Sequence, residues 1–221
     1  MQRIAAVFTA SRASPTQLFD VVRAILLDDE ARGDSKDPVT LPNYGKLREP
    51  VQFITNVLRP FNVKSDGVLD SVTVSNSSIG SADIGQDVFN APSVFSFYPP
   101  TARVPGESVL GPQFVLFSSL TSIRRSNFVN RVIFSSTGIP AAPPNRPTGT
   151  SVDLSPWDTL ASNPDQLIDA LNALLLHGTM SDEMRQPITD VVLSIPVSNR
   201  RLRVQSAIYL ILTSSQYQVQ R

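Results

Sequence analysis

Histidine chemistry in this chain depends on one residue, His177. A Ser-His-Asp arrangement would need His177 as its base, because a serine hydroxyl becomes a good nucleophile only when a neighbouring imidazole takes its proton. His177 lies directly before Gly178, at the end of an apolar helical pattern, where an imidazole favours the negative end of the helix dipole. The sequence therefore favours a capping role for His177 and leaves a catalytic role open.

Paired carboxylates are the second chemistry that the sequence offers. Asp83 and Asp87 are four residues apart and would share one helix face if residues 81–89 were helical. One could then serve as general acid and the other as base. Together with a Ser/His177 arrangement, this pair makes a hydrolase of unfamiliar type, acting on an ester, lactone or glycoside, the alternative function.

Metal and cofactor motifs are missing from the sequence. The chain has no cysteine, which excludes disulfides, thiol catalysis and cysteine-bound metal. DDEARGDSKD, residues 28–37, is rich in carboxylates, but the final acid of a calcium loop would have to be Val39. No P-loop, G-x-G-x-x-G or G-x-S-x-G motif occurs. We therefore expect no metal site and no cofactor.

Charge and hydropathy narrow the range of partners. The chain has 19 basic and 19 acidic residues and a net charge of zero at pH 7, so no general positive field attracts nucleic acid or an anionic membrane. No stretch approaches the roughly 18 consecutive apolar residues of a membrane-spanning helix. We expect neither nucleic-acid binding nor a membrane span.

The elements that would position these residues are mainly α-helices. Apolar residues recur at helical spacing after helix-start signals at Ser14, Asn163, Ser181 and Asn199. The predicted fold is an irregular multi-helix domain that contains a non-helical segment rich in proline and aromatic residues and ends in a three-helix block. We predict three parts: a helical region at 1–134, a Pro-rich linker or arm at 135–156, and a C-terminal three-helix block at 157–221, packed on the first region.

The stretch FNAPSVFSFYPP, residues 89–100, interrupts the helical patterns. Its prolines prevent a continuous helix and its aromatic side chains favour burial, so the first interpretation is a non-helical segment packed in the core. The alternative is a rigid loop whose aromatic rings stack on a ligand. Arginine pairs such as Arg124-Arg125 suit anions because the guanidinium is forked. The candidate ligand-binding residues are Phe95, Phe97, Tyr98, Arg124 and Arg125.

Several segments resemble one bacterial family, catalogued as domain of unknown function 1800. GQDVFNAPSVFSFYPPTARVPGE, residues 85–107, resembles the family's central motif. KLREPVQFITNVLRPF, residues 46–61, and VLGPQFVLFSSLTSIRRSNFVNRVIF, residues 109–134, resemble its flanking segments, with Gln113 where the family commonly has glutamate. RRLRVQSAIYLILTSSQYQVQR, residues 200–221, is similar to its closing helix.

The resemblance implies that the aromatic stretch is a signature of the fold, and it supplies no catalytic residue. Family members are longer, with an export signal and a helical N-terminal half, so the resemblance implies a truncated, C-terminal form and a periplasmic or secreted setting. A face left by the missing half could support a homodimer. The favoured function is a binding or interaction module of an exported or cell-surface system, whose partner is a protein or a surface polymer.

Overall fold

The computed structural model describes residues 2–28, 45–74 and 76–220. The described residues divide into two compact units, one with residues 2–28 and 45 and the other with residues 46–74 and 76–220. Both consist mainly of helices, which confirms the predicted fold class. Apart from Asp28, the acidic stretch at 28–37 lies outside the described residues. None of the described helices is both long enough and apolar enough to cross a membrane.

The described part of the first unit, residues 2–28 and 45, contains the helices α1 (Gln2–Ala10) and α2 (Gln17–Leu27). The Gln17 side chain donates a hydrogen bond of 2.8 Å to the Phe8 carbonyl, and the Arg3 guanidinium donates to both carboxylate oxygens of Asp28. The predicted apolar face of α2 is formed, but none of its side chains is buried. The large exposed apolar residues of α2 are Leu18, Phe19, Val22, Ile25, Leu26 and Leu27.

The second unit contains the remaining described helices. Three of them start where the sequence predicts, because Asn163, Ser181 and Asn199 each accept a backbone N–H from the first turn. The α-helices are α3 (Pro50–Leu58), α4 (Ser119–Phe134), α5 (Pro164–Leu176), α6 (Asp182–Ser194), α7 (Arg200–Thr213) and α8 (Ser215–Gln218). Short 3₁₀ helices cover Arg59–Phe61, Pro112–Leu116 and Ser155–Ser162.

Two-residue strands form antiparallel pairs in this unit, two of which join segments far apart in the chain. They are β1 (Lys46–Leu47), β2 (Lys64–Ser65), β3 (Thr73–Val74), β4 (Ser77–Ser78), β5 (Thr150–Ser151) and β6 (Val219–Gln220). β1 pairs with β6, β2 with β5 and β3 with β4. The β1–β6 pair holds the end of the chain beside the segment that leads into α3.

The core of the second unit surrounds α7, which packs against α4, α6 and the 3₁₀ helix Ser155–Ser162. Phe53 of α3 packs edge-on against Tyr217, with 6.1 Å between the ring centroids. Phe61 and Trp157 make a second edge-on contact at the same distance. These contacts fix α3 and the end of the chain in one packed core.

The Pro-rich segment 135–156 forms backbone hydrogen bonds within itself and is attached to the rest of the second unit at residues 148–153. The backbones of Ile139 and Thr150 exchange two hydrogen bonds of 2.8 Å. The Asp66 carboxylate accepts the backbone N–H groups of Thr148 and Gly149. The division of the chain at 134 and 156 stays a prediction.

Candidate functional site

A tight turn at Ser93–Ser96 exposes two apolar side chains. The N–H of Ser96 donates to the Ser93 carbonyl at 3.0 Å, and the Ser93 hydroxyl accepts the N–H of Phe95 at 3.2 Å. At the tip, Val94 is 96% and Phe95 63% exposed. Turn tips normally carry glycine, proline or small polar residues. Two exposed apolar residues at a turn tip reduce solubility, and they therefore point to a surface that contacts another molecule.

Phe89 precedes this turn and is 99% exposed. Its backbone is left-handed, with φ of 74°, a conformation that costs a residue other than glycine about 1–3 kcal/mol. The aromatic stretch is non-helical, as predicted, but the expectation of burial is wrong for Phe89 and Phe95. Aromatic residues favour burial only on average, and here the left-handed backbone and the serine-stabilised turn direct the two rings outwards. Phe97 and Tyr98 are half-buried.

Phe89 forms part of the wall of a cavity of about 260 Å³. The lining is mostly apolar, and Asp70 and Ser81 add polar groups. Sites for drug-sized molecules usually measure about 300–1,000 Å³, so this cavity suits a group the size of one side chain. The residues that line it are Val51, Ile54, Thr55, Gly67, Leu69, Asp70, Ser81, Val88 and Phe89.

Gly80 allows two cavity segments to approach each other closely. A Cβ at this position would lie 2.2 Å from the carbonyl oxygen of Asp70, which is far inside a van der Waals contact. The next residue, Ser81, donates its N–H to the Leu69 carbonyl at 2.9 Å. Any side chain at position 80 would therefore separate the two backbones that form this part of the cavity.

A second cavity of about 260 Å³ lies beside α4. Its lining is more polar, and none of the candidate site residues from the sequence belongs to it. It is lined by Val74, Ser77, Ile79, Asn127, Asn130 and Arg131.

A polar junction connects the motif KLREP to the signature beginning GQ. Glu49 caps α3, and its carboxylate accepts the Gln86 amide at 2.7 Å and lies 3.4 Å from the Lys46 ammonium. The carbonyl oxygen of the Gln86 side chain accepts the Val51 N–H at 3.0 Å. Gln86 thus satisfies the start of α3 from the opposite segment and fixes that helix relative to the signature.

Tyr98 lies next to this junction, beside the side chains of Glu49 and Gln113. Burial raises the pKa of Glu49, but hydrogen bonds from Tyr98 and Gln86 and the Lys46 ammonium outweigh it, so the pKa lies below its usual value. Burial and the adjacent carboxylate raise the pKa of Tyr98. The Tyr98 hydroxyl therefore stays protonated beside the Glu49 carboxylate. Its role in this arrangement is to join three signature segments.

Arg124 and Arg125 extend into different surroundings, although they are neighbours in α4. Arg124 donates to the backbone carbonyl of Asp83. Arg125 is 1% exposed and donates to the Gln218 amide oxygen at 2.8 Å and to the Arg48 carbonyl at 2.9 Å. Ligand binding by Phe95, Phe97, Tyr98 and the two arginines stays a prediction.

The candidate catalytic residues Asp83 and Asp87 lie in a non-helical segment. Residues 81–89 form turns instead of a helix, so the helix face that Asp83 and Asp87 would share is not formed. The Asp83 carboxylate accepts the N–H of Gly80 at 3.2 Å, which stabilises a turn.

His177 is the exposed C-cap of α5, with φ of 54°, which confirms its capping position. Within residues 2–28, 45–74 and 76–220, no hydrogen bond joins its imidazole to a serine or an acid. No group of three or more histidine, aspartate or glutamate side chains there could hold a metal ion.

A family model described as Protein of unknown function (DUF1800) matches residues 1–219. The chain belongs to the DUF1800 family. In this DUF1800 protein, the matched residues include the whole polar junction and the turn at Ser93–Ser96. No curated protein and no solved structure matches the chain. The assignment confirms the resemblance, whereas the C-terminal position within a longer protein stays a prediction.

Sequence reasoning missed the residues that assemble this DUF1800 site. Glu49 and Gln86 belong to the motifs that carried the resemblance, but their pairing across 37 residues leaves no local pattern. Phe89 was treated only as part of an aromatic stretch. A signal was present at Gln86, an amide two residues from the apolar Ile84 and Val88, because such a side chain needs a hydrogen-bond partner when buried.

Proposed function

We propose that the protein is a non-enzymatic binding module of an exported or cell-surface system, which takes an apolar side chain of a partner polypeptide into the cavity beside Phe89. One observation carries the proposal: Phe89 is almost fully exposed on a left-handed backbone at the edge of that cavity. Strained residues of this kind concentrate at ligand clamps, because the surrounding structure must hold them in place.

The size and lining of the cavity favour a polypeptide partner over a cofactor. A volume of about 260 Å³ with mostly apolar walls accommodates one apolar side chain. Recognition by a few buried apolar or aromatic anchors is typical of protein interfaces. Val94 and Phe95, exposed in the same segment, provide further apolar contact area.

The polar groups of the cavity indicate what flanks the anchor. Asp70 is exposed, and its carboxylate can accept a backbone N–H or pair with a cationic side chain. A lysine or arginine beside the apolar anchor would complement this charge. The preferred partner sequence is therefore an apolar residue next to a basic one.

Selection from a phage library of short random peptides on the immobilised protein tests the proposal. We expect enrichment of peptides in which an apolar residue adjoins a lysine or arginine. The test variants are Phe89→Asn, which removes the ring, and Phe95→Ser. The matched control is His177→Asn, because His177 is also exposed on a left-handed backbone and receives the same new residue.

The outcome separates the binding hypotheses. Enrichment that persists with His177→Asn and is lost with Phe89→Asn supports the proposal. Equal enrichment on all variants would place binding elsewhere and refute it. In parallel, retention of the protein on insoluble cellulose and chitin tests the alternative that the partner is a surface polymer. Retention lost only in Phe89→Asn, without peptide enrichment, would replace the polypeptide partner with a polysaccharide.

A further inference from the structure

Two buried arginines of the second unit, Arg48 and Arg125, are linked through the Arg48 backbone and through Gln218, away from the cavity beside Phe89. Arg125 of α4 is 1% exposed, and Arg48, which lies between β1 and α3, is 6% exposed. They meet because Arg125 donates to the Arg48 carbonyl while Gln218 of α8 binds both residues. Gln218 accepts from the Arg125 guanidinium through its side chain and from the Arg48 N–H through its backbone.

The surroundings of the two guanidinium groups consist of aromatic faces and backbone carbonyls. The Arg48 guanidinium carbon lies 4.1 Å from the centre of the Tyr217 ring. The Arg125 guanidinium lies between the rings of Phe53 and Phe117, at 5.0 and 5.3 Å. Ring faces attract cations, but they do not neutralise a full charge.

Both guanidinium groups keep buried N–H donors without a hydrogen-bond partner. These are Nε and Nη1 of Arg48 and Nε of Arg125. The Tyr217 hydroxyl lies beside Arg48, where it partly offsets the lowering of the Arg48 pKa by burial, and it too is buried without a hydrogen-bond partner. Buried donors without partners are rare in native proteins and often mark a water or an ion.

No carboxylate of the described part of the chain pairs with either guanidinium. The acid closest in sequence, Glu49, is engaged by Gln86, Tyr98 and Lys46. Burial lowers the pKa of Arg125 only to about 10, and a guanidinium group does not lose its proton near neutral pH, so both arginines remain charged. Buried charges are normally paired. An ordered water would satisfy the N–H groups but would leave the two positive charges uncompensated.

We propose that Arg48 and Arg125 together bind one small monovalent anion, a halide or the carboxylate of an acid as small as formate. The anion neutralises charge and accepts the free N–H groups. The size follows from the packing, since neither arginine lines either of the two cavities described above. The remaining exposure of Arg48 marks the side from which the anion enters.

Thermal unfolding at constant ionic strength tests this site. Chloride, bromide and formate should each raise Tm along a saturating curve, by about 3–6 °C at about ten times the Kd. Phosphate, which is larger and carries more charge, should give no saturating rise. Comparing halide with formate shows whether the site prefers a spherical or a carboxylate anion. Equal shifts for all salts, phosphate included, would mean general screening and would overturn the proposal.

Variants locate the effect at the arginine pair. Arg48→Gln should abolish the saturating rise, whereas Arg201→Gln should keep it, because Arg201 pairs with Asp158 elsewhere. A rise retained in Arg48→Gln would overturn the proposal. If the variant does not fold, the position of bromide in soaked crystals of the unmodified protein tests the site instead. The expected anomalous peak lies in contact with both guanidinium groups, and its absence there contradicts the site.

Discussion

Replacing Phe89 with asparagine should make the protein more stable, although it removes a large aromatic side chain. The ring is 99% exposed, so almost no buried apolar area is lost, and at about 25 cal/mol per Å² the cost is close to zero. The backbone has φ of 74°, which asparagine tolerates better than phenylalanine. Relief of part of the strain of about 1–3 kcal/mol should raise the free energy of unfolding by about 1 kcal/mol. For a chain of this size that corresponds to about 2–4 °C in Tm.

Urea and thermal unfolding of three variants separate the ring from the backbone. Phe89→Asn should be more stable than the unmodified protein. Phe89→Ala, which removes the ring but gains little from the left-handed backbone, should be nearly neutral. Phe128→Ala, at a fully buried position, should lose about 3–5 kcal/mol. A loss of more than about 1 kcal/mol in both Phe89 variants would show that the ring is packed and would refute the reasoning.

Two further predictions concern the segments beside the site. Gly80→Ala should destabilise the protein by about 1–3 kcal/mol in urea unfolding, because the new Cβ would meet the Asp70 carbonyl oxygen at 2.2 Å; unchanged stability would mean that these segments are not in contact. Glu49 has a lowered pKa in the folded state, so its contribution is complete above its unfolded pKa of about 4.3 and is lost as the pH falls through the folded value. In Glu49→Gln, the free energy of unfolding should therefore fall less steeply as the pH is lowered below about 4.3. If the unmodified protein and the variant lost stability equally steeply, this role of Glu49 would be contradicted.

Local chemistry explains which helices could be predicted from the sequence. Asn163, Ser181 and Asn199 each accept an N–H from a residue of the first turn that follows. Such caps are encoded within a few residues. His177 could be assigned to a helix end for the same reason, because Gly178 follows it and the helix pattern stops there.

Tertiary packing decided the features that the sequence could not supply. Whether Phe89 and Phe95 are buried depends on the left-handed backbone at one and the serine-stabilised turn at the other, and hydrophobicity alone favoured burial. The Glu49–Gln86 hydrogen bond joins segments far apart in the chain, so no spacing rule indicates it.

The neighbouring arginines of α4 show that burial cannot be predicted from local sequence alone. Arg124 and Arg125 are adjacent and chemically identical, yet one reaches the carbonyl of Asp83 and the other is enclosed by Phe53 and Phe117. Consecutive helix residues point in different directions, and only the packing of α4 determines which of them is buried.

The most direct test of the account is the affinity of one selected peptide for three forms of the protein, measured by isothermal titration calorimetry. The account predicts that Phe89→Asn binds at least about tenfold more weakly than the unmodified protein, while His177→Asn binds with unchanged affinity. Equal affinity of all three forms would contradict the claim that the exposed ring and the cavity beside it make the binding surface.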